Sequence, residues 1–261
     1  MTNKTALITG GASGLGYEFA TLLAKDAYHL ILIDIDSEKL KETKKKLEDK
    51  YKTQVITIRK DMSTHNCASE LFEEIKETPI DVLINNAGFG LYGHFHNTDW
   101  EREASMLNLH IISTTHLTKL ILKGMVEKGQ GKILNMSSLA AFQPGPLMSI
   151  YYASKAYILS FSEAIANELK GTGVTVTVLC PGQTKTSFQK VVSQETSENK
   201  IGFNMASPDE VAKYGYKAML NGESVVIPGN FNKFLSFLPR ILPRNIAAAI
   251  VRKIQEKNRA D

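Results

Sequence analysis

Short apolar runs alternate along the chain with longer segments in which apolar residues recur at helical spacing. The runs have the length and composition of buried strands. The seven strand candidates are KTALIT ending at Thr9, HLILID at 29–34, QVITIR at 54–59, DVLINN at 81–86, KILNMS at 132–137, VTVTVL at 174–179 and SVVIP near 224. Continuous apolar strands separated by helices predict an α/β fold, a doubly wound parallel β-sheet with helices on both faces.

The same pattern predicts one α/β domain over residues 1–230. No internal repeat, low-complexity stretch or linker divides the chain, and 43% apolar content is enough for a sizeable core. Residues 231–261 form a separate basic and apolar C-terminal segment. The connection at 186–206 is the longest stretch of ambiguous pattern, which is typical of a mobile lid.

Charge changes this picture at one place only. The net charge is +4, but residues 231–261 carry seven basic and two acidic residues, which leaves −1 for the rest of the chain. A general nucleic-acid surface is therefore not expected. With no signal-peptide pattern and no apolar stretch long enough to span a bilayer, we predict a cytoplasmic protein in which Cys67 and Cys180 are reduced structural thiols.

The first strand ends in TGGASGLG, where Gly10, Gly14 and Gly16 precede a helix. Open parallel sheets bind ligands beyond the carboxyl ends of their strands. Glycines at such a turn permit positive φ, and they let a pyrophosphate approach the amides at the helix N-terminus. A glycine cluster also fits an ordinary tight turn, so the prediction of a dinucleotide site depends on its context.

Asp34 supplies that context, because it ends the second strand 24 residues after Gly10. A carboxylate there can accept hydrogen bonds from the adenosine ribose hydroxyls, whereas it repels a 2′-phosphate. The sequence therefore favours NAD over NADP as cofactor. Lys39 and Arg59 are the cations that could still accommodate NADP.

The stretch SSLAAFQPGPLMSIYYASKA at 137–156 contains candidate catalytic groups. Positions four apart share one face of a helix, so Tyr151 and Lys155 can meet at one site, whereas Tyr152 points about 100° away. The Tyr151 phenol has an ordinary pKa near 10, and we expect a lysine ammonium and an oxidised nicotinamide to lower that pKa. Strand alternation alone leaves open whether Ser137 or Ser138 faces the site.

These motifs resemble, in their order and spacing, those of the short-chain dehydrogenase/reductase family. The resemblance covers nearly the whole chain and implies a Rossmann fold. It rests on TGxxxGxG at 9–16, NNAG at 85–88, a serine thirteen residues before Tyr151, YxxxK at 151–155, and PG at 181–182 followed by Thr186.

The family pattern implies a site for each conserved role. It identifies Ser138 as the catalytic serine and completes a tetrad of Asn108, Ser138, Tyr151 and Lys155, with Asn108 holding a water for proton exchange. Tyr151 and Lys155 also contact the cofactor. The further cofactor contacts that it implies are Gly10, Ser13, Gly14, Leu15, Gly16, Asp34, Asp61, Met62, Asn85, Ala87, Gly88, Pro181, Gly182, Thr184 and Thr186.

The function that this resemblance implies is NAD(P)-dependent interconversion of a secondary alcohol and a ketone by hydride transfer. One alternative is an acyl-carrier-linked 3-ketoacyl reductase, which normally uses NADP. Another is a non-catalytic regulator that binds NAD(H) without turnover. The intact tetrad favours an enzyme.

The loops expected to line the substrate pocket are mainly apolar, which favours an apolar carbonyl or alcohol over a sugar. Their side chains are Phe89, Leu91, Tyr92, Phe95, Phe142, Pro144 and Met148, with His94 and His96 as polar additions. The two histidines resemble a metal pair, but no third ligand lies near them in sequence, so we predict no metal site.

Two regions predict contacts beyond the site. The helical stretch YYASKAYILSFSEAIANELK at 151–170 has apolar residues on more than one side, including Ile158, Phe161 and Ile165, and the family commonly forms dimers or tetramers through this helix. In the C-terminal segment, isoleucines recur at 246, 250 and 254, as in an amphipathic helix. We predict that this segment shapes an apolar pocket and protects it from water, as a lid or through an oligomer interface. Contact with an anionic membrane surface is the alternative.

Overall fold

A computed structural model of the protein describes residues 4–185 and 205–259, with side chains through residue 257. Its centre is a seven-stranded parallel sheet in the order β3-β2-β1-β4-β5-β6-β7. The strands are β1 (Thr5–Thr9), β2 (His29–Asp34), β3 (Val55–Arg59), β4 (Val82–Asn85), β5 (Gly131–Met136), β6 (Val174–Leu179) and β7 (Val225–Val226). The predicted doubly wound sheet is confirmed, although β7 has only two residues.

The helices follow the strands in the alternation that the sequence predicts. They are α1 (Gly14–Lys25), α2 (Ser37–Tyr51), α3 (Cys67–Ile75), α4 (Trp100–Leu107), α5 (Thr114–Lys128), α6 (Ser149–Glu168), α7 (Pro208–Asn221), α8 (Asn230–Phe237) and α9 (Arg244–Arg259). A π-helical turn at Asn108–Ser113 joins α4 to α5. Short 3-10 turns lie at Leu139–Phe142 and Leu238–Arg240.

The sheet is apolar on both faces because consecutive strand residues point to opposite sides. In β1, Ala6 and Ile8 join a buried cluster with Phe19 of α1, whereas Leu7 joins a separate cluster with Leu71 of α3. Each face therefore has its own core. This double burial explains why the strands lack the apolar and polar alternation of sheets that are solvated on one side.

Helix α2 is a solvated amphipathic helix that is rich in lysine. Leu40 and Leu47 are buried against the sheet. Its lysines pair with acidic residues three or four positions away, as Lys45 does with Asp49 at 2.6 Å. Exposed pairs of this kind add only a few tenths of a kcal/mol each, about 0.3–0.5, so the buried leucines hold the helix in place.

The C-terminal segment forms α8, a 3-10 turn containing Pro239, and α9. Three residues on one side of α9 are buried, namely Ala247, Val251 and Gln255. The isoleucine stripe is offset from that side by one position and faces outward. Its members are Ile246, Ile250 and Ile254, which are 46%, 42% and 50% exposed.

Helix α6 offers less apolar surface for assembly than its sequence suggests. Ile158 is 1% exposed and packs with Leu159 and Val178 inside its own chain, so it is not available to a partner. Tyr157 is exposed and stacks on Phe161 with ring centroids 5.9 Å apart. The prediction of a homodimer or homotetramer therefore loses one of its supporting residues.

Both cysteines are buried and neither forms a disulfide, as predicted. The rings of His94 and His96 are tilted by 31° with centroids 5.6 Å apart. Within residues 4–185 and 205–259, no group of three metal-ligating side chains could hold a metal ion. Among the same residues, no helix has the length and apolar character required to cross a membrane.

Candidate active site

A cleft of about 1410 Å³ opens at the carboxyl ends of the strands. It is bordered by the glycine turn after β1 and by the residues that follow β2, β3, β4, β5 and β6. Its position is the one that an open parallel sheet predicts for a ligand. Most of the predicted site residues line it: Gly10, Ser13, Gly14, Leu15, Asp34, Asp61, Met62, Ala87, Gly88, Ser138, Tyr151, Lys155, Pro181, Gly182 and Thr184.

The glycine turn after β1 packs closely against the backbone that follows β4. Gly10 has a φ of +65°, and a Cβ added there would lie 2.9 Å from the Cα of Ala87. Gly16 does not line the cleft, because it packs inward; an added Cβ would lie 1.9 Å from the Gly10 carbonyl oxygen. Gly16 therefore holds the turn together, and Ser13, Gly14 and Leu15 present the start of α1 to the cleft.

Two carboxylates flank the end of β2. Asp34 accepts hydrogen bonds from the backbone N–H groups of Ala12 and Asp36, at 3.1 and 3.2 Å. Asp36, which the sequence analysis did not single out, also lines the cleft and lies 2.8 Å from Lys39. The hydrogen bond with Asp36 raises the pKa of Lys39, and the charge of Asp34 adds to this. Lys39 is therefore engaged by a carboxylate of its own helix cap.

Of the two asparagines at the end of β4, Asn86 lines the cleft and the predicted cofactor contact Asn85 does not. The side chain of Asn85 is buried away from the cleft and donates to Thr118 Oγ1 and Asn135 Oδ1, both at 2.9 Å. Asn86 lines the cleft instead, and its amide donates to the carbonyls of Thr9 and Gly10 at 3.1 and 3.0 Å. Asn85 thus fixes the strand, while Asn86 fixes the glycine turn.

The YxxxK pair lies at the start of α6 as predicted. The Tyr151 and Ser138 side chains share a hydrogen bond, and Lys155 Nζ lies 5.8 Å from the centroid of the Tyr151 ring. Lys155 is 6% exposed and donates to the carbonyl of Met136 at 2.9 Å. Ser137 instead donates to the Lys155 carbonyl at 2.8 Å, so it anchors α6 to β5. Strand alternation left open which serine meets Tyr151, and the structure shows that it is Ser138.

Burial dominates the titration of this pair. It raises the pKa of Tyr151 to about 12, with the hydrogen bond to Ser138 acting in the opposite direction. Burial also lowers the pKa of Lys155 to about 8. The expectation of a lowered tyrosine pKa is thus wrong for the protein's own groups, because the loss of water around the phenolate outweighs them.

Asn108 and His110 lie on the π-helical turn between α4 and α5. Such turns are often found at functional sites. Asn108 itself is partly buried and does not line the cleft. The fully buried His110 was missed from sequence. Its Nε2 accepts from the Phe89 N–H at 3.3 Å, and its Nδ1 lies 2.9 Å from Ser154 Oγ, which donates to the Tyr151 carbonyl.

His110 therefore bridges the turn after β4 and the first turn of α6. Burial, and then the charge of Lys155, hold its pKa well below the ordinary value, so the imidazole is neutral. A neutral ring that accepts at Nε2 must carry its proton at Nδ1, which fits donation to Ser154. Only its position in the folded chain reveals this role, since one buried histidine has no sequence signature.

The apolar lining of the cleft differs from the predicted one. Of the loop residues proposed for the pocket, Phe89 and Met148 line it, whereas Phe95 is 61% exposed. Leu91, Tyr92, His94, His96, Phe142 and Pro144 are not among its lining residues. The C-terminal segment contributes much of the remaining apolar lining, through Phe231, Leu235 and Ile254. Thr186 and the connection at 186–204 lie outside the described residues.

Comparison with known proteins identifies the class. The family model of the short chain dehydrogenases matches residues 4–197. The chain therefore belongs to the short-chain dehydrogenase family, and it is a nicotinamide-dependent oxidoreductase acting on CH–OH and ketone groups.

The similar proteins carry names that refer to different substrates. A ketoacyl reductase of Nostoc sp. is 33% identical over 229 residues, which cover 87% of this chain and 79% of that protein. The hydroxysteroid dehydrogenase-like protein 1 of Gallus gallus is 33% identical over 237 residues, covering 90% and 70%. The structure of a short-chain dehydrogenase from Sphingobium yanoikuyae in complex with NADPH has a TM-score of 0.80 at 25% identity, covering 92% and 97%.

Proposed function

We propose that the protein interconverts an apolar secondary alcohol and its ketone, with Asn108, Ser138, Tyr151 and Lys155 as the catalytic tetrad. The observation that carries this proposal is the meeting of three of these groups on one wall of the cleft. Ser138 contacts the Tyr151 hydroxyl, and the Lys155 ammonium lies 5.8 Å from the ring centroid. Asn108 begins the π-helical turn beside them, where we propose that it holds a water for proton exchange.

The roles follow from the hydrogen-bonding capacity of each group. In alcohol oxidation, the Ser138 hydroxyl donates to the substrate oxygen, and the Tyr151 phenolate accepts the proton of the substrate hydroxyl. A bound nicotinamide supplies the hydride acceptor, or the donor in the reverse direction. Lys155 holds its ammonium beside the phenol and is placed to bond the cofactor ribose. In reduction, Tyr151 donates its proton to the developing alkoxide.

A phenol whose pKa is raised to about 12 holds its proton at neutral pH, which suits the reducing direction. For oxidation, positive charge must offset the effect of burial. The Lys155 ammonium provides part of this positive charge, and the ring of a bound oxidised nicotinamide would provide the remainder. The pKa of Tyr151 should therefore fall on cofactor binding.

The described residues fit a dinucleotide. The positive φ of Gly10 and the position of Gly14 in the cleft lining leave the N-terminus of α1 accessible to a pyrophosphate. Asp34 and Asp36 place two carboxylates where the adenosine ribose is expected, and Lys39 is already paired. We therefore propose a preference for NAD, although the Sphingobium relative was solved with NADPH.

A 3-ketoacyl thioester is a second candidate substrate, because the Nostoc relative is named a ketoacyl reductase. Both candidates present a carbonyl on an apolar body, which suits the lining by Met148, Leu235 and Ile254. The C-terminal segment shapes this lining in either case. We place the enzyme in the cytoplasm as a homo-oligomer.

The test is a panel of hydrophobic ketones, alcohols and 3-ketoacyl thioesters assayed with NAD(H) and NADP(H) in parallel. We expect kcat/KM to favour NAD(H) by at least about tenfold, which corresponds to about 1.4 kcal/mol. Asp34→Ala should narrow that ratio, while Asp49→Ala on the solvated face of α2 serves as the charge-matched control. Equal kcat/KM for the two cofactors in the wild type would contradict the preference for NAD.

A further inference from the structure

The outer surface of α8 and α9 combines exposed apolar side chains with exposed cations, and we name it the C-terminal surface. Its apolar members are Phe231, Phe234, Phe237, Ile241, Ile246, Ile250 and Ile254, which are 42–65% exposed. Its cations are Lys233, Arg240, Arg244, Arg252, Lys253 and Lys257, all exposed. Seven of the seventeen large apolar side chains that are exposed in the described chain fall here, so this is a localised patch.

The apolar residues of each helix lie on one side. In α8, Phe231, Phe234 and Phe237 follow one another at three-residue intervals, which places them along one face. The opposite side is held to the protein, since Ser236 is buried and Asn232 donates to the Pro228 carbonyl at 2.7 Å. The exposed face is therefore a consequence of how the helix docks.

Cations share the apolar face in α9. Lys253 follows Ile250 by three positions and Lys257 follows Ile254 by three, so lysine and isoleucine are neighbours on the same side. Lysine can bury its alkyl chain while its ammonium reaches outward to an anion. An apolar face edged by such lysines is typical of helices that lie in a membrane interface.

Five of the six cations on this surface have no carboxylate partner among the described side chains, in contrast with several lysines of α2. Among the described residues, Arg252 pairs with Glu256 at 2.8 Å, and no carboxylate lies within 4.0 Å of the other five cations. On α2, Lys41, Lys45 and Lys46 each pair with a carboxylate of their own helix. Five cations of the C-terminal surface are therefore available to an external anion, whereas these three lysines of α2 are engaged.

We propose that the C-terminal surface binds an anionic phospholipid bilayer and lies along it, with the mouth of the cleft turned toward the lipid. Phe231 and Ile254 are at once exposed and part of the cleft lining, so the apolar patch continues into the mouth of the cleft. A second copy of the chain fits less well, because two surfaces that each carry +5 over residues 231–257 would repel.

Co-sedimentation of the full chain with vesicles tests this proposal. We expect binding to phosphatidylcholine vesicles containing phosphatidylserine, weaker binding to pure phosphatidylcholine, and loss of binding at high salt. Arg240→Gln, Lys253→Gln and Lys257→Gln combined should weaken binding about 10- to 100-fold. Lys41→Gln, Lys45→Gln and Lys46→Gln combined remove the same charge from α2 and should have a much smaller effect.

The apolar contribution is tested with Phe234→Ser and Ile250→Ser, neither of which lines the cleft. Vesicle affinity should fall while turnover of a short, water-soluble substrate is retained. The proposal is overturned if the chain fails to bind anionic vesicles or if the α2 variant loses binding equally. It is also overturned if the serine variants change only the sedimentation mass of the free protein, because the surface is then an interface between copies. Vesicle binding is measured without substrate, so its outcome is independent of the proposed reaction.

Discussion

The two walls of the cleft are held in different ways. The inner wall, formed by the ends of β4 and β5 and the first turns of α6, is joined by buried side-chain hydrogen bonds, among them those of Ser137 and His110. The outer wall, formed by α8 and α9, is attached by packing of Val251 and by the bond from Gln255 Nε2 to the Tyr152 hydroxyl at 2.7 Å. The inner wall can position reacting atoms, whereas the outer wall can control what reaches them.

The largest expected effect is on the inner wall. Tyr151→Phe removes the hydroxyl that moves the proton, so turnover should fall at least about 1000-fold, while NADH affinity measured by fluorescence changes only a few fold. Tyr152→Phe is the matched control because its hydroxyl contacts the outer wall, and it should keep most of its activity. An inactive Tyr152 variant beside an active Tyr151 variant would reverse the assignment.

His110→Leu should have the next largest effect, because it removes the bridge between Phe89 and α6 without touching the reacting atoms. We expect kcat/KM to fall about 10- to 100-fold. His110→Gln, whose amide can both accept and donate, should recover part of the loss. Since the imidazole is neutral at neutral pH, neither variant should shift the pH profile there. A shift there would mean that His110 titrates during turnover.

Lys155 gives the inner wall a pH-dependent stability. Its folded-state pKa of about 8 lies below the ordinary value of 10.5, so the unfolded chain binds more protons between these values. The free energy of unfolding should therefore rise with pH for the wild type relative to Lys155→Met, by about 2 kcal/mol from pH 8 to pH 10. Denaturant titrations at several pH values measure this slope, and parallel slopes would contradict the lowered pKa.

The smallest effect is expected on the outer wall. Gln255→Leu and Tyr152→Phe each remove the hydrogen bond that fastens α9 and should lower the free energy of unfolding by about 1 kcal/mol. The double variant should cost less than the sum of the two, since they break the same bond. Additive losses would show that the pair is not coupled. A fall in kcat/KM as large as that of His110→Leu would contradict the proposed difference between the two walls.

Much of the fold was predictable from sequence, because residues buried on both faces of a sheet leave a continuous apolar run. The segments HLILID and VTVTVL coincide with β2 and β6. The position of Asp34, Tyr151 and Lys155 in the cleft was also predictable, since each lies at a fixed distance from a strand end or within one helical turn. Their roles in the reaction stay predictions.

Other features depend on packing that spacing does not encode. Adjacent asparagines at 85 and 86 have identical chemistry, and only the end of β4 between them decides which one reaches the cleft. The spacing of the isoleucines in α9 predicts a helix but not which side of it is buried. The smaller Ala247 and Val251 pack against the protein, so the isoleucines remain exposed. The raised pKa of Tyr151 likewise follows from burial in three dimensions.

The amide of Asn135 has a consequence for how the sheet assembles. This residue is fully buried, receives a hydrogen bond from Asn85 and donates one to Ser162, so it connects β4, β5 and α6 through the core. A slip of β5 by one position would turn the amide to the opposite face and leave its donors and acceptor without partners. Each lost partner costs about 1–3 kcal/mol, a penalty that the neighbouring leucines and isoleucines do not impose. Asn135 therefore selects one strand alignment during folding from several that hydrophobic burial alone would accept.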